Sequence, residues 1–107
     1  MKIHHIALVV NNIKESIDFY CNKYGAWTQY EDEEWAMLEF DNILLALVLP
    51  GKHPPHICFE WKHANKIGKL KEHRDGTKSI YVMDPSQNII ELLDSEDSRQ
   101  LELNFNN

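Results

Sequence analysis

The sequence predicts an α+β fold made of two successive βαβββ modules, the second of them abridged. Apolar runs of strand length recur along the chain, and one amphipathic helical segment follows the first of them. Residues 50–55, PGKHPP, interrupt this pattern with turn-forming residues, after which the strands restart. A chain of 107 residues suffices for one domain but not for two independent ones. We therefore expect a single domain over 1–107, with module one at 1–50, module two at 54–94 and a tail at 95–107.

Module one begins with a largely aliphatic strand over residues 3–10, which we predict to be buried on both faces. A helix follows, with Asn12 as its N-cap, Glu15 in the capping-box position and Gly25 as the left-handed residue after its end. Three more strands are predicted, and the last two are joined by a two-residue turn. They cover residues 26–30, 34–40 and 43–49, and the turn is Asp41-Asn42.

Module two repeats the pattern in less space. Strands are predicted over 56–61, 78–83 and 88–93, with a tight turn at 84–87. Only residues 62–77 remain for the helix and second strand, so we expect a helical turn around 64–67 and an extended stretch over 69–73. A helix over 64–72 with no strand is the alternative. In the tail, apolar residues alternate at 101, 103 and 105, which is typical of an extended segment, although the tail could equally be frayed.

Charge and composition exclude several classes of function. The formal net charge of −6 disfavours nucleic-acid binding, because a phosphate backbone requires a basic surface. No apolar run is long enough to span a bilayer, and no targeting segment is visible, so we expect a cytoplasmic protein with no membrane contact. Cys21 and Cys58 form neither a disulfide framework nor a CxxC pair, and we interpret both as reduced packing residues.

Three polar residues stand inside apolar strand-like runs: His5, His56 and Glu91. An uncompensated imidazole or carboxylate is costly to bury. Two imidazoles and one carboxylate together form a facial ligand set for a borderline divalent metal, with coordination positions open for water or substrate. A lone strand histidine is more often a hydrogen-bonded core residue, so the hypothesis depends on the three coming together.

Three segments in order resemble the vicinal oxygen chelate superfamily, which includes glyoxalase I, extradiol dioxygenases, thiol transferases and bleomycin-resistance proteins. They are IHHIALVVNNIKESIDFYCNKYG, HICFEWK and SIYVMDPSQNIIELL. The resemblance implies modules that curve a mixed sheet around a cupped cavity. It implies His5, His56 and Glu91 as ligands of one Mn, Fe, Co, Ni or Zn ion. Strand alternation then adds four cavity-lining residues, Ala7, Cys58, Ser79 and Met83.

The resemblance further implies a metalloprotein, with an enzyme favoured, that acts on an oxygenated small molecule by metal chelation. Tyr81 is our first candidate for the group that accepts or donates a proton, and Glu39 the second. Each has a simpler interpretation: Tyr81 could fill the cavity, and Glu39 could point outward from its strand. The reaction class, whether lyase, isomerase, transferase or dioxygenase, stays open. The alternative is a metal-free protein that sequesters a ligand, of the bleomycin-resistance type.

Two departures from the family pattern concern the expected metal ligands and the expected turn. Glyoxalase I enzymes have a fourth ligand, a Glu, before the module boundary, but this chain has no acidic residue between Asp41 and Glu60. The turn at 84–87 has Gln87 where the family usually has Gly, which predicts a different turn geometry.

We also expect a homodimer, because an open sheet edge and a shortened second module leave apolar strand surface for a partner.

Overall fold

The structure, a computed structural model, describes residues 1–73 and 76–94. The chain forms two compact units. The first unit is His5–His56, and the second unit combines Met1–His4 with the described residues from Ile57 onward. The described residues form eight strands and one α-helix, so the α+β class and the two βαβββ modules are confirmed. The tail over 95–107 lies outside the described residues.

The first unit combines a mixed sheet with the α-helix. The strand order is β2-β3-β4-β1, in which β1 runs parallel to β4 and the other neighbours are antiparallel. The bounds of its elements are β1 Lys2–Val9, of which His5–Val9 belong to this unit, α1 Ile13–Tyr24, β2 Trp27–Glu31, β3 Trp35–Glu39 and β4 Leu44–Val48.

Both predicted helix caps are confirmed. The Asn12 side chain accepts a hydrogen bond from the Glu15 backbone N–H at 2.8 Å. Gly25 adopts a φ of 73°, and its N–H bonds to the Cys21 carbonyl. Between the caps, Ile13 and Ile17 are buried against one face of the sheet. That face contributes Ala36, Leu38, Leu45 and Leu47 to the core of the first unit.

The prediction that β1 is buried on both faces is wrong. Leu8 and Val9 are 38% and 40% exposed. Leu8 is in register with Leu47 on the helix side of the sheet, and α1 packs mainly over β2, β3 and β4, which leaves the β1 end of that side less covered. Val9 is the last residue of β1 and faces the opposite side. An aliphatic run identifies a strand, but it does not show how far the helix reaches across the neighbouring strands.

The second unit is the abridged module. Its strand order is β5-β8-β7-β6, with β5 parallel to β8 and the remaining neighbours antiparallel. A single 3₁₀ turn and a two-residue strand replace the helix and the full second strand, so the alternative of a helix over 64–72 is wrong. The elements are β5 His56–Trp61, of which Ile57–Trp61 belong to this unit, the 3₁₀ turn Ala64–Lys66, β6 Lys71–Glu72, β7 Lys78–Met83 and β8 Ile89–Asp94.

The turn between β7 and β8 keeps a left-handed residue without glycine. Gln87 has a φ of 68°, so the predicted change in turn geometry is wrong. The Asp84 carboxylate accepts hydrogen bonds from the backbone N–H groups of Ser86 and Asn88 and from the Asn88 side-chain amide, at 2.8 to 2.9 Å. These bonds, with Gln87 N–H donating to the Asp84 carbonyl, impose the conformation on Gln87.

Within the described ranges, no helix combines the length and hydropathy needed to cross a lipid bilayer.

Candidate functional site

Two histidines of the first unit approach each other through their Nε2 atoms. His5 lies on β1 and is partly buried, and His56, the first residue of β5, is 8% exposed. Their Nε2 atoms are 3.3 Å apart, and the rings meet edge to face with centroids 5.4 Å apart. His56 Nδ1 lies 2.7 Å from the Pro54 carbonyl oxygen. Because a carbonyl oxygen only accepts, Nδ1 carries the hydrogen, and in the neutral ring Nε2 presents its lone pair toward His5.

This pair fits adjacent positions on one metal ion. Two imidazole nitrogens, each about 2.1 Å from one ion, lie about 3.0 to 3.4 Å apart at angles between right and tetrahedral. The observed separation of 3.3 Å falls in that interval. A metal-binding histidine also commonly donates its other ring N–H to a carbonyl or carboxylate, as His56 does to Pro54.

Glu91 is the buried carboxylate of the second unit. It lies on β8, is 6% exposed, and accepts a hydrogen bond from Ser79 Oγ at 2.7 Å. It is in register with Cys58 on β5 and with Tyr81 on β7, so the three side chains share one face of this sheet. Glu91 is the predicted carboxylate ligand, and the histidine pair of the first unit provides the two predicted imidazole ligands.

The Glu91 charge influences its neighbours. Burial, followed by the negative charge of Glu91, raises the pKa of Tyr81 well above its usual range. Burial raises the pKa of the Cys58 thiol still more strongly, and the charge of Glu91 and a hydrogen bond with it act in the same direction. Tyr81 is therefore a neutral phenol near pH 7, which can donate a hydrogen bond or a proton but does not supply a phenolate base.

Glu39 lies on β3, where Gln29 of β2 donates a hydrogen bond to its carboxylate. It is in register with Leu44, which is in register with His5, so the three side chains share one face of the first unit's sheet. That face is opposite to the one covered by α1. Two strand spacings separate Glu39 from His5, roughly 10 Å, so these two residues are not in contact.

The predicted cavity-lining residues differ in burial. Ala7, Cys58 and Ser79 are at most 1% exposed, whereas Met83 is 64% exposed. Met83 is the last residue of β7, and this position accounts for its exposure. That these four residues line a cavity stays a prediction.

His73 is a neighbour of Glu91 that the sequence did not reveal. Its Nε2 lies 2.6 Å from Ser79 Oγ and 3.6 Å from Glu91 Oε2. It stands in the polar stretch KEHRDG, where hydrophobic periodicity carries no signal. The pairing of β6 with β7 brings the residue after β6 close to Ser79, and this pairing is visible only in the structure.

An open cleft of about 540 Å³ lies elsewhere in the first unit, between the start of α1 and the β2–β3 turn. Asn12, Lys14 and the acidic residues Glu31, Asp32 and Glu33 line it, and neither His5 nor His56 does. The cleft contains carboxylates but no imidazole, whereas the histidine pair offers two nitrogen ligands.

Comparisons with known proteins agree with the resemblance seen in the sequence. No curated protein sequence gives a significant match. A glyoxalase/bleomycin resistance protein/dioxygenase superfamily member from Vibrio splendidus has a TM-score of 0.65 and 16% identity, over 86% of this chain and 98% of that one. A hypothetical protein from Bacillus halodurans has a TM-score of 0.63 and 15% identity, over 86% and 92%.

The third structure is homoprotocatechuate 2,3-dioxygenase from Brevibacterium fuscum, in an anaerobic complex with 3,4-dihydroxyphenylacetate. It has a TM-score of 0.63 and 21% identity, over 87% of this chain and 36% of that one. At these identities the three structures show a shared fold. The family model described as Glyoxalase/Bleomycin resistance protein/Dioxygenase superfamily matches residues 2–100. The chain belongs to this superfamily.

Proposed function

We propose that this protein binds one divalent metal ion per chain through His5, His56 and Glu91 and acts on an oxygenated small molecule. The observation that carries the proposal is the convergence of the two Nε2 atoms at 3.3 Å, with His56 oriented by the Pro54 carbonyl. Glu91 supplies the anionic ligand, and its carboxylate is oriented by Ser79. Imidazole and carboxylate ligands suit Mn, Fe, Co, Ni or Zn, and these ligand types do not discriminate between the five metals.

When bound, such an ion would supply Lewis acidity toward neighbouring oxygens of a substrate that chelates it. The surrounding residues then have separate tasks. Tyr81, a phenol in register with Glu91 on the neighbouring strand, would donate a hydrogen bond or a proton. Glu39 is the second candidate for proton transfer, from the same sheet face as His5.

The substrate class follows from the chemistry of chelation. A ligand with two adjacent oxygens can occupy two open positions of one ion. The related dioxygenase that was crystallised with 3,4-dihydroxyphenylacetate supports this class, because that molecule has two adjacent hydroxyl groups. The lyase, isomerase, transferase and dioxygenase reactions all remain within the proposal.

Isothermal titration of chelator-treated protein with Mn²⁺, Ni²⁺ and Zn²⁺ tests the ligand set. We expect one ion per chain for at least one of these metals, and a loss of affinity of about 100-fold or more for His56→Ala and Glu91→Gln. His53→Ala is the matched control, because His53 is an exposed histidine three residues before His56. Equal binding by wild type and both ligand variants, or no binding at all, would support a metal-free protein that sequesters a ligand.

Three further expectations stay predictions. They are a single glyoxalase-like domain over 1–107, a cytoplasmic location, and a homodimer.

A further inference from the structure

A series of two hydrogen bonds ends on Glu91. Ser79 Oγ lies 2.7 Å from Glu91 Oε2, and His73 Nε2 lies 2.6 Å from Ser79 Oγ. The direct separation of His73 Nε2 and Glu91 Oε2 is 3.6 Å, which is too long for a hydrogen bond. His73 therefore reaches the carboxylate through the Ser79 hydroxyl.

The direction of both hydrogen bonds follows from the donors available. An ionised carboxylate only accepts, so Ser79 donates its one O–H to Glu91. The hydroxyl oxygen is then the acceptor for His73, whose Nε2 must carry a hydrogen. The series runs from His73 to Ser79 to Glu91, and each bond polarises the next.

Strand pairing produces this arrangement. Tyr81 is in register with Glu91, and Ser79 is two residues earlier on β7, so Ser79 and Glu91 are diagonal neighbours on one face. The pairing of Lys71 with Ser79 brings the end of β6 alongside, and His73 N–H donates to the Thr77 carbonyl at 2.7 Å. Ser79 is 1% exposed, so its hydroxyl needs partners within the protein.

We propose that His73, acting through Ser79, is a positioning residue that holds the Glu91 carboxylate in one orientation for the metal ion. The inference rests on the proposed function, because it concerns the ligand role of Glu91. A carboxylate with one oxygen tied to a buried hydroxyl cannot turn freely about its terminal bond. It therefore loses less conformational freedom when it binds an ion.

Paired substitutions at His73 separate positioning from packing. The amide of His73→Gln can still donate to Ser79, whereas His73→Leu fills similar space without a donor. Ser79→Ala removes the intermediate hydroxyl. His63→Leu is the control, since His63 is a partly buried histidine that contacts the Trp61 ring.

The measurements are Co²⁺ affinity by titration and the visible absorption spectrum of the Co²⁺-bound protein. We expect His73→Leu and Ser79→Ala to weaken binding about 10-fold or more and to change the spectrum. We expect His73→Gln to retain the wild-type spectrum and to weaken binding by less than about 3-fold, and His63→Leu to change neither. In the metal-free wild type, the ¹⁵N NMR signals of the His73 ring should show a protonated Nε2, a readout that does not depend on how the variants fold.

The outcomes distinguish this inference from the proposed function. Failure of the wild type to bind metal overturns the proposed function and, with it, this inference. A wild type that binds metal, together with a His73→Leu variant that binds as tightly or with equal losses for Leu and Gln, overturns the positioning role alone. An Nδ1–H tautomer of His73 also overturns it.

Discussion

Single residues carry the evidence for a site in this protein, because burial makes each of them energetically expensive. His56 and Glu91 are both buried, and each keeps a defined hydrogen-bond partner, the Pro54 carbonyl and the Ser79 hydroxyl. Such partners reduce the cost of desolvation and fix the orientation of the side chain. Residues retained at such cost are candidates for function rather than for stability.

The sequence could predict these residues because a polar side chain in an apolar strand is conspicuous. This criterion predicts His5, His56 and Glu91 as ligands. His73 could not be found, because a histidine among charged residues gives no such signal. Its contact with Ser79 depends on the register of a two-residue strand, which is set by tertiary pairing.

Gln87 has a backbone conformation that is unfavourable for a residue with a side chain. Its φ of 68° places a residue with a Cβ in the left-handed region, which costs about 1 kcal/mol. Glycine removes that cost but gives up more chain entropy on folding. We predict that Gln87→Gly raises the free energy of unfolding by about 0.5 kcal/mol, measured by urea denaturation.

Gln87→Ala is the matched control, because alanine keeps the Cβ and therefore the unfavourable conformation. Its stability should stay within about 0.5 kcal/mol of wild type. A destabilised glycine variant would show that the side chain of Gln87 contributes more than the backbone conformation costs.

At the scale of elements, the ends of the helix were predicted best, because residues at the caps determine where a helix begins and ends. The α1 caps at Asn12 and Gly25 were identified from residue type alone, and both make the expected hydrogen bonds. The abridged helix followed from a count of residues, since 62–77 leave too little room. The exposure of Leu8 could not be predicted, because it depends on which strands α1 covers.

The β7–β8 turn provides a pH-dependent test of an element. Its hydrogen bonds from Asn88 and Ser86 lower the pKa of the Asp84 carboxyl below its ordinary value. The unfolded chain therefore binds a proton at Asp84 at a higher pH than the folded chain does. The stabilisation that the ionised Asp84 carboxylate gives the turn is complete above about pH 4, near the pKa of this carboxyl in the unfolded chain. It is lost as the pH falls through the lower pKa that the carboxyl has in the folded protein.

We predict that the difference in unfolding free energy between wild type and Asp84→Asn shrinks as the pH is lowered from 7 through this window. Urea denaturation at a series of pH values measures that difference. Ser86→Ala is the control, because it keeps the Ser86 backbone N–H that bonds to Asp84, and its difference from wild type should not depend on pH. A difference for Asp84→Asn that is constant with pH would contradict the role of the carboxylate charge.

At the scale of the whole molecule, the outer strand of the first unit presents apolar surface. β2 lies at the end of the strand order, and all five of its residues are exposed. Trp27 is 73% exposed and Tyr30 43%. An exposed edge strand with aromatic residues can pair with another chain, and two-fold dimers are the commonest homo-oligomers.

We predict a homodimer in solution that uses this edge. Sedimentation velocity at tens of micromolar should show a dimer for the wild type, and Trp27→Lys should shift it toward monomer, because a lysine places a charge where apolar surface would be buried. Tyr24→Lys is the matched control, since Tyr24 is 63% exposed but lies at the end of α1 rather than on the edge strand. A monomeric wild type would contradict the dimer itself, whereas equal dissociation of the two variants would move the interface away from β2 and toward a surface that includes the end of the helix.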